Sequence, residues 1–205
     1  MYKLYLSKGS SALAAHILLE EIGASYETVV VSIPDKAHLT PEYLAINPKG
    51  RVPALETPQG VLTENPAILA YLAQANPELE LAPTDPFAFA QAQALNGYIA
   101  STLHVAFAHK ARAARWADEP AAIAAMQAKV ATNIAEGASF VEEHLLKGAW
   151  ALGARYSMCD PYLFLVHRWM VASGVDLADY PKLSAHTDAM RARPAVQAAL
   201  AQHRL

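Results

Sequence analysis

The sequence predicts two domains, an α/β domain over residues 1–78 and an all-helical domain over residues 87–205, joined by a linker at 79–86. Up to about residue 80, short β-branched runs alternate with stretches of helical hydrophobic period. Pro77–Pro86 holds three prolines and no clear period, as linkers do. Beyond it the chain is alanine-rich with apolar stripes at helical spacing, and alanine is the best helix former.

The pattern of the first domain predicts the element order β-α-β-α-β-β-α, a parallel βαβ unit joined to an antiparallel hairpin. Leu13 and Ile17 recur at helical spacing, Gly23 ends that helix, and Thr57–Gly60 is typical of a hairpin turn. The predicted elements are strand Lys3–Leu6, helix Ser11–Ile22, strand Tyr26–Ile33, the helical turn Leu39–Leu44, strands Val52–Glu56 and Val61–Thr63, and helix Pro66–Ala75. Helices predicted in the second domain are Phe87–Arg115, Ala121–Leu146, Cys159–Val171 and Tyr180–Arg193.

The composition excludes several classes of protein. Of 205 residues, 54% are hydrophobic and 17% charged, with a formal net charge of −3. No run of about 18 apolar residues is present, which argues against a membrane span, and the balanced charge argues against a nucleic-acid surface. The lone Cys159 excludes a disulfide framework, and no Cys/His cluster suggests a bound metal. Since no signal-peptide pattern opens the sequence, we expect a cytoplasmic protein.

The first candidate site is the turn Ser7–Ser11, which follows the first strand and leads into the first helix. It places two hydroxyls and several backbone N–H groups at a helix N-terminus, which carries roughly half a positive charge and suits an anion. A thiolate delivered by a cosubstrate would be stabilised there. The alternative, which this turn alone favours, is that Ser10 or Ser11 simply caps the helix.

The second candidate site is Asn47–Leu55, which reads Asn-Pro-Lys-Gly-Arg-Val-Pro-Ala-Leu. Pro53 fits the head of a strand, where a missing N–H costs least. The backbone of Val52 is therefore a candidate partner for an extended peptide ligand. An ordinary entry into an edge strand is the alternative, and the sequence leaves open whether the Val52–Pro53 bond is cis or trans.

The third candidate site is Thr63–Ile68. Asn65 is a good N-cap and Pro66 suits the first helical position, so a second helix N-terminus is expected here. That terminus suits an anion, while Glu64 beside it suits a cation. A carboxylate and an ammonium presented together, as in the head group of an α-amino acid, would satisfy both.

These segments resemble those of the cytosolic glutathione transferases, most closely the bacterial beta class, and the resemblance runs through the whole chain. Its strongest stretch is residues 43–55, followed by 62–68 and 71–73. In the second half, 98–104 is similar to the family's first long helix and 157–164 to its capping-box segment. The resemblance implies a thioredoxin-like glutathione-binding domain, an all-helical domain that lines the electrophile site, and a homodimer.

The resemblance also implies roles for individual residues. Val52 would pair its backbone with the cysteinyl unit of glutathione, and Pro53 would be the family's cis-proline. Glu64 and Asn65 would hold the γ-glutamyl ammonium and carboxylate. The residues implied to bind glutathione are Lys36, Arg51, Val52, Pro53, Glu64 and Asn65, with Lys36 near the glycyl carboxylate.

The candidate catalytic residues are Ser11, Ser10 and His104. The beta class usually has a cysteine where Ser11 stands, and that cysteine can form a mixed disulfide with glutathione. A serine cannot, so hydrogen-bond activation of a bound thiolate becomes the simpler chemistry. Ser10 is the close competitor, because a slip of one residue moves the register. His104 matches a family histidine near the thiol, although a histidine among apolar neighbours on a helix is as readily a packing residue.

Other positions carry structural expectations. Cys159 falls in the capping-box segment and is expected to be a small buried residue without a redox role. Asp160, three residues after Ser157, is expected to form the box that starts a buried helix. Tyr5 lies where some classes of the family use a tyrosine, and strand alternation is expected to bury it here.

The expected activity is conjugation of glutathione, as cosubstrate, to small hydrophobic electrophiles, a detoxification reaction that needs no other cofactor. One alternative is a glutathione-dependent isomerase or peroxidase on the same fold. Zeta-type isomerases carry a Ser-Ser-Cys turn, and Ser10-Ser11-Ala12 lacks its cysteine. The other alternative is a non-catalytic protein that binds glutathione or apolar ligands.

Overall fold

The computed structural model describes residues 1–204, which divide into two compact units. One unit comprises Met1–Thr84 and the segment that begins at Met190, and the other comprises Asp85–Ala189. The division expected from the sequence assigned all of 87–205 to the second domain. The end of the chain lies in the first unit instead, because the last helix packs on the first one.

The first unit has the predicted order β-α-β-α-β-β-α. Its elements are β1 (Tyr2–Leu6), α1 (Ala12–Glu21), β2 (Tyr26–Val30), α2 (Pro41–Ile46), β3 (Ala54–Thr57), β4 (Gly60–Thr63) and α3 (Asn65–Gln74), with 3-10 turns at Ala37–Leu39 and Pro77–Leu79. β2 ends earlier than predicted, because its ladder partner β1 ends at Leu6, which pairs with Val30.

Within residues 1–204, four strands form one mixed sheet in the order β2-β1-β3-β4. β1 pairs with β2 in parallel and with β3 antiparallel, and β3 and β4 form the hairpin. Tyr5 of β1 is buried, as expected, in a cluster with Tyr43 and Ala54, and its hydroxyl donates to Glu56 at 2.9 Å. The central position of β1 brings the turn that follows it to the carboxyl end of the parallel pair, where α/β folds place their sites.

The rest of the described chain is helical. Its helices are α4 (Pro86–Tyr98), α5 (His104–Arg112), α6 (Pro120–Ala128), α7 (Val130–Phe140), α8 (Asp160–Ser173), α9 (Pro181–Arg191) and α10 (Pro194–His203), with π-helical turns at Ile99–Leu103 and Val141–Leu145. The two longest predicted helices are therefore each divided. Across residues 1–204, no helix is long and apolar enough to span a membrane, and no cluster of His, Cys, Asp and Glu is arranged to hold a metal ion.

The start of α8 contains the expected capping box. Asp160 is fully buried and accepts hydrogen bonds from the Ser157 N–H at 2.7 Å and hydroxyl at 2.8 Å, and from the Ala151 N–H at 2.7 Å. Cys159 is buried, as expected, and its thiol donates to the Ala92 carbonyl at 3.4 Å. Burial raises the pKa of this thiol, which keeps it protonated at neutral pH and without nucleophilic character.

The last helix, α10, is a separate element that the sequence analysis did not predict. The predicted chain of helices ended at Arg193, but Pro194 suits the first turn of a helix and starts a new one. Val196 and Ala199 are fully buried on one face of α10, which packs against α1. α1 therefore lies inside the first unit, between the sheet and α10, and its residues from Ala12 to Leu19 are all buried.

Candidate functional site

The turn between β1 and α1 is a compact loop held by its own backbone. The Ser10 N–H donates to the Ser7 carbonyl at 3.1 Å. Gly9 has φ = 72°, a left-handed conformation that glycine adopts without the penalty of a Cβ. Ser7 and Ser11 are buried, whereas Ser10 is half-buried.

The two serines of this turn are used differently. The Ser10 hydroxyl oxygen accepts a hydrogen bond from the Ala12 N–H at 3.3 Å, so it serves the first turn of α1. Ser11 is the residue immediately before α1, yet its side chain makes no capping hydrogen bond. The helix cap expected from the turn is therefore made by Ser10. The Ser11 hydroxyl lies at the N-terminus of α1 and makes no capping hydrogen bond.

A side-chain hydrogen bond links the start of α3 to the start of α1. The Asn65 Nδ2 donates to the Ser11 carbonyl at 3.0 Å. Asn65 is 4% exposed, and among residues 1–204 its buried Oδ1 accepts no hydrogen bond. The expected N-cap role is wrong, because α3 begins at Asn65 itself and Glu64 occupies the preceding position. A buried amide oxygen without a partner is uncommon in folded proteins and points to a donor from a ligand or water.

Glu64 has a strained backbone and an exposed carboxylate. Its φ of 72° and ψ of 124° are unfavourable for a residue with a Cβ and cost about 1–3 kcal/mol. Its Oε1 lies 2.5 Å from the ammonium of Lys49, which also donates to the Thr63 hydroxyl at 2.9 Å. Strain of this kind persists where the surrounding contacts hold it, most often at sites of function.

The loop before β3 is held by hydrogen bonds to one carbonyl. The Arg51 carbonyl accepts from the Tyr43 hydroxyl and from the Asn47 Nδ2, each at 2.6 Å. The Val52–Pro53 peptide bond is cis, as the resemblance implied. The strand ladder begins at Ala54, so the backbone of Val52 lies outside it.

Lys36 and Arg51 contribute exposed cations to the first unit. Lys36 has φ = 57° and precedes the 3-10 turn Ala37–Leu39, and the side chains of both residues are exposed. The structure brings Ser11, Glu64 and Asn65 together through the contact between α1 and α3.

His104 lies in the second unit, at the start of α5 and directly after a π-helical turn. Its Nδ1 lies 3.1 Å from the Tyr162 hydroxyl, and its ring stacks on Trp169 with a centroid separation of 4.9 Å. These contacts are those of a hydrogen-bonded packing residue. π-helical turns are frequent at functional sites, and the catalytic role of His104 stays a prediction.

Sequence reasoning missed two contributors to the first unit's site. In the sequence Lys49 is only one residue of the Asn-Pro-Lys-Gly motif. Its ion pair with Glu64 involves a residue whose strained backbone the sequence does not reveal. His203 accepts a hydrogen bond from the Gly9 N–H at 3.2 Å, across 194 positions of the sequence. A histidine on the buried face of a helix was the available signal, but α10 had not been predicted.

Comparison with known proteins identifies the family. The model of the glutathione S-transferase N-terminal domain matches residues 2–74. Glutathione S-transferase GstA of Escherichia coli O157:H7 is 34% identical, over 97% of this chain and 96% of its own. Glutathione S-transferase GST-4.5 of Xanthomonas campestris pv. campestris is 35% identical, over 97% of each chain. The chain belongs to the glutathione S-transferase family.

A solved structure supports both the fold and the family. A glutathione transferase homolog from Sulfitobacter, with bound glutathione, superposes with a TM-score of 0.96 at 43% identity and covers 100% of this chain and 99% of its own. The thioredoxin-like domain followed by helices, and the enzyme class glutathione S-transferase, are therefore confirmed.

The class within the glutathione S-transferase family stays a prediction. A beta-class glutathione S-transferase from Sphingomonas chungbukensis superposes with a TM-score of 0.84 at 32% identity, over 98% of each chain. A maleylacetoacetate isomerase from Rhizobium meliloti is 32% identical, over 87% of this chain and 85% of its own. Similarity thus extends to the beta class and to isomerases alike.

Proposed function

We propose that the protein conjugates glutathione to small hydrophobic electrophiles, with Ser11 as the residue that activates the thiol. One observation carries the proposal: the Asn65 side chain joins the start of α3 to the Ser11 carbonyl, so the helix N-terminus at Ser11 and the helix N-terminus at Glu64 and Asn65 lie next to each other. The sulfur of glutathione would lie at the start of α1 and its γ-glutamyl head at the start of α3.

The chemistry of Glu64 and Asn65 supports binding of the γ-glutamyl head. The Glu64 carboxylate already binds the primary ammonium of Lys49 at 2.5 Å, and the α-ammonium of glutathione has the same chemistry. The N-terminus of α3 favours the α-carboxylate, and the buried Asn65 Oδ1 offers an acceptor for the ammonium. Exchange of one ammonium for another at Glu64 would release Lys49 when glutathione binds.

The remaining contacts follow the extended tripeptide. The backbone of Val52, outside the strand ladder, supports pairing with the cysteinyl unit. The exposed cations of Lys36 and Arg51 are candidates for the glycyl carboxylate. A thiol with an ordinary pKa of about 8.5 needs about 2.7 kcal/mol of differential stabilisation for the thiolate to become the major form at neutral pH. One hydrogen bond to an anion supplies about 1.5–3 kcal/mol, so Ser11 and the helix N-terminus suffice.

In the reaction, the thiol proton leaves to solvent and the thiolate sulfur forms a bond to an electrophilic carbon. The leaving group departs with the electron pair of the bond that breaks. His104 is the third candidate catalytic residue, as the family resemblance implies. A glutathione-dependent isomerase is the second candidate, favoured by the similarity to a maleylacetoacetate isomerase.

The test compares glutathione retention with turnover. We expect the protein to bind glutathione-agarose and to transfer glutathione to 1-chloro-2,4-dinitrobenzene with release of chloride. Turnover of maleylacetoacetate with no conjugation would support the isomerase. Retention with neither activity would favour a binding protein, and no retention would refute the proposal.

We also propose a cytoplasmic homodimer, as the family resemblance implies. Equilibrium sedimentation at micromolar concentration should give a mass near twice 22.1 kDa. A monomer that still binds glutathione would contradict the dimer and leave the proposed activity intact.

A further inference from the structure

We propose that His203 is a positioning residue for the turn Ser7–Ser11, at which the glutathione sulfur would bind. In this role it fixes the orientation of the peptide bond between Lys8 and Gly9. The Gly9 N–H donates to the His203 Nδ1 at 3.2 Å. The inference that this turn binds glutathione sulfur rests on the proposed function, but the contact itself does not.

The hydrogen bond to Gly9 is the first of a buried chain. The His203 Nε2 lies 3.1 Å from the His16 Nδ1, and the His16 Nε2 lies 2.8 Å from the Tyr26 hydroxyl. The Tyr26 hydroxyl in turn donates to the Glu20 carboxylate. His203 is 1% exposed and His16 is fully buried, so water does not compete for either ring.

The groups at the two ends of this series of hydrogen bonds, the Glu20 carboxylate and the Gly9 N–H, determine which atom donates in each of them. Because a carboxylate only accepts, the Tyr26 hydroxyl donates to Glu20 and its oxygen accepts from the His16 Nε2–H. The His16 Nδ1 must then accept from the His203 Nε2–H, which leaves the His203 Nδ1 as an acceptor. A backbone N–H only donates, and Gly9 supplies that donor. Both rings are therefore neutral Nε2–H tautomers, in agreement with the pKa of His16, which burial lowers.

Contacts at both ends of α10 keep His203 in place. Near its start, Arg193 makes two hydrogen bonds to the Glu21 carboxylate, at 2.5 and 2.7 Å. Near its end, the Gln202 Nε2 donates to Glu20 at 3.2 Å. These contacts fix α10 along α1. The His203 Nδ1 that accepts from Gly9 is therefore held in place by α10.

The acceptor on His203 affects the turn because the backbone of Gly9 has more conformational freedom than that of any residue with a side chain. Glycine populates both signs of φ with similar ease, so its own backbone does not select φ = 72°. The hydrogen bond to His203 selects one orientation of the Lys8–Gly9 peptide. Ser11 follows two residues later, so that orientation sets where its hydroxyl and the first N–H groups of α1 point.

Two amide variants separate the link to Gly9 from the link to His16. In His203→Asn the amide oxygen can take the position of Nδ1 and accept from Gly9, while the link to His16 is cut. In His203→Gln the amide reaches the position of Nε2 and can donate to His16, while the acceptor for Gly9 is lost. We expect His203→Asn to keep Gly9 amide hydrogen exchange, glutathione Kd and kcat within about twofold of the unmodified protein. We expect His203→Gln to speed Gly9 exchange by tenfold or more and to lower kcat about fivefold, with Kd changed less than twofold.

The outcomes decide the proposal in each case. Equal losses in both variants, or unchanged Gly9 exchange in His203→Gln, would overturn the positioning role and leave His203 as a packing residue. If the unmodified protein binds no glutathione by calorimetry, the proposed function fails, while Gly9 exchange still tests the positioning role. Should both variants unfold, long-range 1H–15N spectra of the unmodified protein remain decisive, because an Nδ1–H tautomer at His203 would refute the contact.

Discussion

The Asn65 side-chain amide donates to the Ser11 backbone carbonyl at 3.0 Å, across 54 positions of the sequence. Ser11 is 8% exposed and Asn65 is 4% exposed, so the hydrogen bond is shielded from water. It joins the start of α1 to the start of α3. The Asn65 side chain therefore links the two helix N-termini of the candidate site by a hydrogen bond.

Asn65→Ala should lower the free energy of unfolding by about 0.5–1.5 kcal/mol, because the buried Ser11 carbonyl loses one of its two donors and keeps the Ala14 N–H. Chemical denaturation measures this change. Asn65→Asp is the matched control of equal size, and it should cost more because a carboxylate would face a carbonyl oxygen. Unchanged stability in both variants would show that the hydrogen bond does not hold the two helices together.

Glu64→Gln should raise the Kd for glutathione tenfold or more, because a hydrogen bond between charged groups contributes about 1.5–3 kcal/mol. Lys49→Met serves as the control, since it breaks the same ion pair from the other side. The Glu64–Lys49 pair is exposed, so Lys49→Met should change stability by less than about 1 kcal/mol. Titration calorimetry measures the affinity. Equal losses of affinity in both variants would mean that the ion pair, and not the Glu64 carboxylate, supports binding.

Ser11→Ala should reduce turnover at neutral pH by about tenfold or more, because the thiolate loses one charge-assisted hydrogen bond. Glutathione affinity should change little, and the pH profile should move to higher pH. Ser10→Ala should instead cost about 1 kcal/mol of stability, since the Ser10 hydroxyl oxygen accepts from the Ala12 N–H. Thiolate absorbance of bound glutathione, followed against pH, measures both variants. If the thiol pKa changes in Ser10→Ala and not in Ser11→Ala, the activating hydroxyl is that of Ser10.

The neutral His16 ring should make stability depend on pH below about 6.5. Burial lowers the pKa of His16 in the folded state, so the unfolded state binds a proton first as the pH falls. The stability that His16 contributes is therefore complete above the unfolded pKa of about 6.5 and is lost as the pH falls through the lower folded pKa. Unfolding free energy measured from pH 8 to 5 should decline less steeply in His16→Gln.

The order of the first unit followed from the sequence because its signals are local. Alternating runs, Gly23 after the first helix, and Thr57–Gly60 between two strands each act within a few residues. The resemblance supplied what local rules leave open, including the cis bond before Pro53. The order of the elements in the first unit was therefore predicted correctly, although β2 and α3 begin or end at other residues than predicted.

Long-range relationships were beyond sequence reasoning for a physical reason. The His203–His16 contact joins residues 187 positions apart and depends on the packing of α10, not on any local preference. The position of Asn65 was misassigned because a good N-cap residue can also be the first helical residue when its neighbour adopts φ = 72°. Only the folded backbone decides between the two.

The return of α10 to the first unit has a consequence for biosynthesis. Residues 1–84 leave the ribosome before residues 194–203, so the surface of α1 that α10 covers stays exposed until residues 194–203 have been made. Chains grow at about 5–20 residues per second, so this apolar surface is exposed for seconds in every nascent chain. The helix α1 is thus covered by a segment that is synthesised more than 170 residues later.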